Sequence, residues 1–288
     1  MSLHEKSVLI DLTLTSITTS RIDQSVTADV LHRNAAGKDA GRWVSKLWPK
    51  EAIDPIQKHD AKTGTLHREM TLPWLDNSKR ILPTARFDEY MRIMRDRRPE
   101  REDLVKSHFI DRYAHWLHEA ATMRQGLFRP SEYPSAAAAA QRFSFRVEAE
   151  PVPHGNDFRV KLSQSDIADM QATLESRLSE AARIARNELV YRLQEPLLRV
   201  VERLTDPDAK FQDSLIHNLR SIVDALPSMN ITEDATIEDA RLRILHGLAK
   251  LDPDSLRESR SDRSRAAAEA NQILASLAPW MNPIADAA

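Results

Sequence analysis

From Ser163 to Leu204 apolar residues return at a spacing of eleven: Ile167, Leu178, Leu189 and Val200 form one series, and Ala182, Leu193 and Leu204 another. An eleven-residue repeat stays on a nearly straight stripe of an α-helix, where a heptad would wind to the left. The stretch predicts a helix roughly 45 Å or longer, at about 1.5 Å per residue. Such a stripe has to be covered by other helices or by another molecule. Ser163, with Asp166 three residues on, resembles a capping box that opens the helix. Pro196 is expected to kink or interrupt it.

Further helices follow. In Leu204-Thr-Asp-Pro-Asp and Leu251-Asp-Pro-Asp an Asp cap precedes a Pro at a first helical position. Phe211, Leu215, Leu219, Ile222 and Leu226 share a face on the first of these helices. Ile237, Ile244, Leu248 and Leu251 do so on the helix between, and Ile273, Leu274 and Leu277 on the last. Residues 163–288 therefore read as a long-helix bundle or helical hairpin.

The first 162 residues read as a mixed α+β region. Val8, Ile10, Leu12 and Leu14 alternate with polar residues, as in a half-buried strand. Residues 26–50 carry no clear period. A helix follows Pro49, and another covers Arg86–Arg98 with Phe87, Tyr90, Met91 and Met94 on one side. Pro99 is expected to open a third, on which Val105, Phe109, Tyr113, Trp116, Leu117 and Ala120 form an arc. A short alanine run, Ala136–Ala140, follows. The period then changes to two: Phe143, Phe145, Val147 and Ala149, then Phe158, Val160 and Leu162 beyond Pro153-His154-Gly155-Asn156. That pattern predicts a β-hairpin near 143–162, able to pair with the amino-terminal strand. The expected class is mostly α, with a small antiparallel β element.

Composition removes several functions. The six glycines stand at 37, 41, 64, 126, 155 and 247, and no two have the spacing of a phosphate-cradling loop. Rossmann and P-loop readings fall together. There is no Cys, which excludes disulfides, a cysteine nucleophile and thiolate metal sites, and agrees with a reducing compartment such as the cytoplasm. The run Ser7–Ser16 alternates and contains Asp11, unlike a signal peptide, and no stretch approaches the roughly 20 apolar residues of a membrane span. No serine lies in a Gly-x-Ser-x-Gly setting. A non-enzymatic chain without a cofactor is expected.

Two clusters carry chemistry. Net charge is −2, but residues 1–130 hold 22 Lys and Arg against 18 Asp and Glu, and residues 131–288 hold 19 against 25. The basic excess peaks between Arg33 and Lys50, around Arg42, Trp43, Lys46, Trp48 and Lys50. Cations beside aromatic rings can hold single-stranded nucleic acid, and Arg146, Arg159 and Lys161 would extend the surface from the polar face of the hairpin. Equally, the two tryptophans can be the lid of a small core along which lysine stems lie. The second cluster is His108, Asp111, His115, His118 and Glu119, on one helical arc at about 100° per residue. The histidines of His115-Trp-Leu-His118 are three apart with no Glu between, so this is not the zinc-protease signature. The arc also lies opposite the apolar one, and a solvated polar face accounts for it without a metal.

The series VSKLWPKEAIDP, LPW at 72–74, RILP at 80–83, YPS at 133–135 and RFSF at 142–145, followed by a long helical half, resembles domain of unknown function 3150, a family of phages, plasmids and integrative elements. The resemblance implies an accessory role in a mobile element, beside a MoxR-type AAA+ ATPase and a von Willebrand A-type protein or beside recombination genes. It implies no catalytic residues. The leading expectation is an adaptor acting by helix-mediated self-association or binding to a protein partner such as that ATPase. A single-stranded nucleic-acid-binding or annealing protein is the alternative, and a metal-dependent enzyme using the histidine arc is the third reading. No membrane partner is expected.

Overall fold

The computed structural model describes residues 3–76, 78–154, 163–206 and 213–280. In chain order, α1 (Leu3–Lys6) leads into β1 (Ser7–Thr15), followed by β2 (Ser20–Ile22), α2 (Gln24–Arg33), β3 (Val44–Lys46) and α3 (Lys50–Met70). Then come β4 (Leu72–Pro73), β5 (Arg80–Pro83), α4 (Phe87–Asp103), a π-helical segment at Leu104–Ile110, α5 (Tyr113–Arg124), α6 (Ala136–Ala140) and β6 (Ser144–Pro151). The rest is helix: α7 (Gln164–Thr205), α8 (Asp213–Met229), α9 (Ala235–His246), α10 (Pro253–Glu258) and α11 (Arg260–Leu277). The protein is mostly α with a small antiparallel sheet. Among the described residues, no helix is long and apolar enough to cross a membrane.

The chain forms two compact units that do not divide at residue 162. One comprises Met1–Asp11, Glu69–Asp88 and Ala149–Ala288; the other comprises Leu12–Arg68 and Glu89–Glu148. The physical reason lies in the first unit's core. Leu9, Leu72, Trp74, Ile81 and Val152 pack in one apolar cluster with the carboxy-terminal helices.

In that first unit β5 pairs antiparallel with β1, Leu9 opposite Ile81, and with β4, Leu72 opposite Ile81. The four-stranded sheet runs β4-β5-β1-β6, so the amino-terminal strand and the strand after Phe143 are neighbours as the period-two pattern suggests. The second strand of the expected hairpin, and Phe211 and Pro207, lie outside the described residues. The inward set expected on β1 is corrected: Leu9 and Ile10 are both buried and Val8 only half-buried. An interior strand covered on both faces loses its alternation.

Ser163 caps α7 by accepting the Asp166 amide at 3.2 Å. The helix continues for 42 residues, about 60 Å, without interruption at Pro196, which lies inside it. The missing N–H of Pro196 costs the Arg192 carbonyl its usual partner. Burial of Leu193, Leu197 and Val200 on either side of the proline holds both turns in place. Of the eleven-residue series, Leu189, Leu193, Val200 and Leu204 are buried, whereas Ile167, Leu178 and Ala182 are half-buried. No residue of α7 before Ala181 is fully buried.

α7 packs against α8 and α11, and α9 packs against the same two, so the four helices close a ring about one core. Ile216, Leu219, Val223 and Leu226 enter it from α8, Ile237 and Ile244 from α9, and Ile273 and Leu277 from α11. Ala266, Ala267 and Ala270 give α11 a slim buried side facing the bundle. Arg192 donates to the carbonyls of Glu69 at 3.0 Å and Thr71 at 2.8 Å, fastening α7 to the residues that lead into β4. The stripe that the sequence leaves uncovered is thus largely filled from within the chain.

The second unit has its own core. Ile17, Leu47, Trp48, Ala52, Ile53 and Ile56 meet Val105, Phe109, Tyr113, Trp116 and Ala120. Pro99 does not open a helix, contrary to the sequence reading, but sits inside α4. Two residues later Arg101, almost wholly buried, grips Asp60 with Nε–Oδ1 at 2.6 Å and Nη2–Oδ2 at 3.0 Å, and Nη2 also donates to the Thr15 carbonyl at 2.6 Å. Nη1 reaches the Ser144 carbonyl at 3.3 Å. Held there, the chain passes α4 directly into the π-helical segment.

Candidate docking surface

Asp23 starts the local structure that matters here. Its Oδ1 accepts the amides of Ser25 and Val26, both at 3.1 Å, and the Ser25 hydroxyl at 2.7 Å, which caps α2. The Ser25 hydroxyl, then the Val26 amide, hold the Asp23 carboxyl below the usual carboxylate range. At its other end α2 closes with Ala36 N–H on the Leu31 carbonyl and Ala35 N–H on the His32 carbonyl, with Ala35 at φ 48°. This is a Schellman closure made with an alanine.

The chain then returns as β3 against β2, Ile22 opposite Val44 and Ser20 opposite Lys46. Trp43 is held by its backbone on both sides. Its N–H donates to Thr27 Oγ1 at 2.9 Å, and its carbonyl accepts the Asp23 amide at 3.0 Å. Its side chain is half exposed, 47% against 4% for Trp48. Around it Ile22, Val30 and Val44 are exposed too, and α2 buries no residue at all. A two-stranded ribbon and one helix thus form an arm with two exposed apolar pairs, Trp43 with Val30 at one pocket and Ile22 opposite Val44 on the ribbon.

The two tryptophans of the opening motif therefore separate. Trp48 lies in a cage of rings, 5.2 Å from Phe109, 5.4 Å from Tyr113 and 4.9 Å from Tyr133. Tyr133 donates to the Leu47 carbonyl at 2.7 Å, and the buried pair Arg124–Glu132 stands beside it. Trp48 is the lid of a core, and Trp43 alone of the pair faces outward. Arg42, Lys46 and Lys50 are exposed, Lys50 as the first residue of α3. Arg146 is exposed on β6, and among the described residues no hydrogen bond or ion pair joins it to the arm. Arg159 and Lys161 lie outside the described residues.

A π-helical segment, Leu104–Ile110, precedes α5, and the rings of His108 and His115 both pack against Trp116, 5.3 and 4.7 Å away, while Asp111, His115 and His118 are exposed. The ring of half-buried His108 meets the Glu51 carbonyl at Nε2, 2.8 Å away, and Asp111 is taken by Lys106 at 2.9 Å. Among the described residues no three His, Asp or Glu side chains gather as metal ligands.

Ile22, Val30 and Val44 are missed by the sequence reading, because a β-branched residue looks alike whether it faces a core or water. No family model, curated protein or solved structure matches the chain. What the arm can hold follows from its own chemistry: an apolar face fixed on a stitched backbone, edged by cations.

Proposed function

We propose that this chain is a non-enzymatic, cytoplasmic adaptor that docks a protein partner through the arm of residues 20–46. One observation carries the reading: Trp43 and Val30 stand exposed on the lining of one pocket, and Ile22 and Val44 form a second exposed pair across the ribbon, on an arm whose backbone is hydrogen-bonded into place. Leaving such side chains in water forgoes about 1 kcal/mol each, which a partner's apolar surface would supply. The prefixed backbone lowers the ordering cost of binding. An exposed Trp among cations also suits single-stranded nucleic acid. The aliphatic Val30 and Leu31 beside it favour protein, since they offer no face on which a base can stack.

A photo-cross-linking amino acid in place of Trp43, in the native host, tests this directly. A protein cross-linked at 43 and not at Tyr191, an exposed control on α7, is the expected result. Cross-links only to nucleic acid, or equal yields at both positions, would overturn it.

A further inference from the structure

His59, on α3, is buried in the second unit, and neither of its ring nitrogens has a hydrogen-bond partner among the described residues. A buried polar group without a partner gives up its hydration with nothing in return, which calls for a reason. The ring is not isolated. Its Nε2 stands 3.5 Å from Glu100 Oε2 on α4, and its Nδ1 stands 3.6 Å from Asp60 Oδ1 on its own helix, each just beyond hydrogen-bond length. A neutral imidazole has one N–H and one lone pair, and an ionised carboxylate accepts without donating. In either neutral tautomer, then, one lone pair of the ring faces a carboxylate oxygen. The doubly protonated ring presents a donor to each.

The other charges at this spot belong to α4. Arg97 Nη1 lies 3.9 Å from the same Glu100 oxygen, and Arg101 forks across both Asp60 oxygens. β1 and β6 contribute the Thr15 and Ser144 carbonyls, which Arg101 holds. Both guanidiniums oppose a positive ring, and in sum they cancel the two carboxylates, so contact decides. Carboxylate oxygens face both ring nitrogens, and each carboxylate has lone pairs for more than one donor. The Glu100 side chain is 60% exposed, with room to move onto the ring.

The geometry points to His59 as a proton-operated clamp between α3 and α4: a proton taken from solvent lets Nε2–H bond Glu100 and Nδ1–H bond Asp60, and the second unit holds more tightly in mild acid. Asp60 is also the anchor of Arg101, so the clamp acts on the contact that joins α3 to β1 and β6. The stabilisation is present where the ring is charged, below about pH 6.5 for an ordinary histidine, and is lost as pH rises past that range. Above about pH 5 both carboxylates stay ionised, which leaves a window in which the ring alone titrates.

Denaturant unfolding of the full chain, His59→Gln and Glu100→Gln at pH 8 and pH 5.5 tests this, together with an NMR titration of the His59 ring in the parent chain. Gln at 59 keeps a polar side chain that takes no charge, and Gln at 100 keeps the acceptor without the carboxylate. Expected is a gap between parent and His59→Gln that widens on acidification by about fivefold in the folded-to-unfolded ratio, the upper range of a partly exposed ion pair. Glu100→Gln should lose most of that widening, and the His59 ring should be charged in the folded chain at pH 5.5. A gap that stays constant or narrows on acidification overturns the clamp. So does a His59 ring still neutral at pH 5.5, a readout that stands even where the variant at 59 does not fold.

Discussion

Arg101 shows how much of the second unit hangs on one side chain. Its guanidinium spans Asp60 of α3, the Thr15 carbonyl of β1 and the Ser144 carbonyl of β6, three segments far apart in the chain. A buried, forked ion pair adds little when weighed against an apolar replacement, but removing one member strands the other. Arg101→Ala is therefore expected to cost about 3–5 kcal/mol in denaturant unfolding. Arg101→Lys should recover only part of this, because an ammonium cannot fork across both Asp60 oxygens. A loss below about 1 kcal/mol for the alanine variant would refute the hub. Trp43 is the opposite kind of residue, fixed by its backbone and half exposed at its ring.

At the scale of the element, α7 uses two neighbouring leucines differently. Leu197 is fully buried in the bundle, while Leu198 is 48% exposed. Leu197→Ala should destabilise by about 2–5 kcal/mol, through lost transfer energy and a cavity between α7, α8 and α11. Leu198→Ala should stay within about 0.5 kcal/mol. Thermal melts followed by circular dichroism would separate them, and equal losses would mean that the register of α7 in the bundle is different. The π-helical segment acts at the same scale. Val105 and Phe109 within it and Tyr113 just beyond it all stay buried.

For the whole molecule, the order of segments along the chain matters more than the tally of helices. The first unit draws on three separate stretches, and Leu9, Leu72, Trp74 and Ile81 reach its core from the amino-terminal part of the chain. A fragment of residues 163–288 should then keep its helicity but expose core surface. It should bind more of a hydrophobic dye than the full chain and elute as larger assemblies than the full chain on size-exclusion chromatography. A monomeric fragment as cooperative as the parent would show that the bundle is complete without those residues.

The sequence alone determined the helices and their faces: the cap at Ser163, the Asp252-Pro253 start of α10, the buried members of the eleven-residue series, and the period-two run that becomes β6. These are local or periodic features, written in residues a few positions apart. It also supplied the basic stretch around Trp43. Tertiary structure decided that Trp48 is caged and Trp43 is not, and that Pro99 and Pro196 lie inside helices. Each of these depends on what packs against a residue from elsewhere in the chain, and burial by a distant partner leaves no mark on the spacing of the residues it buries.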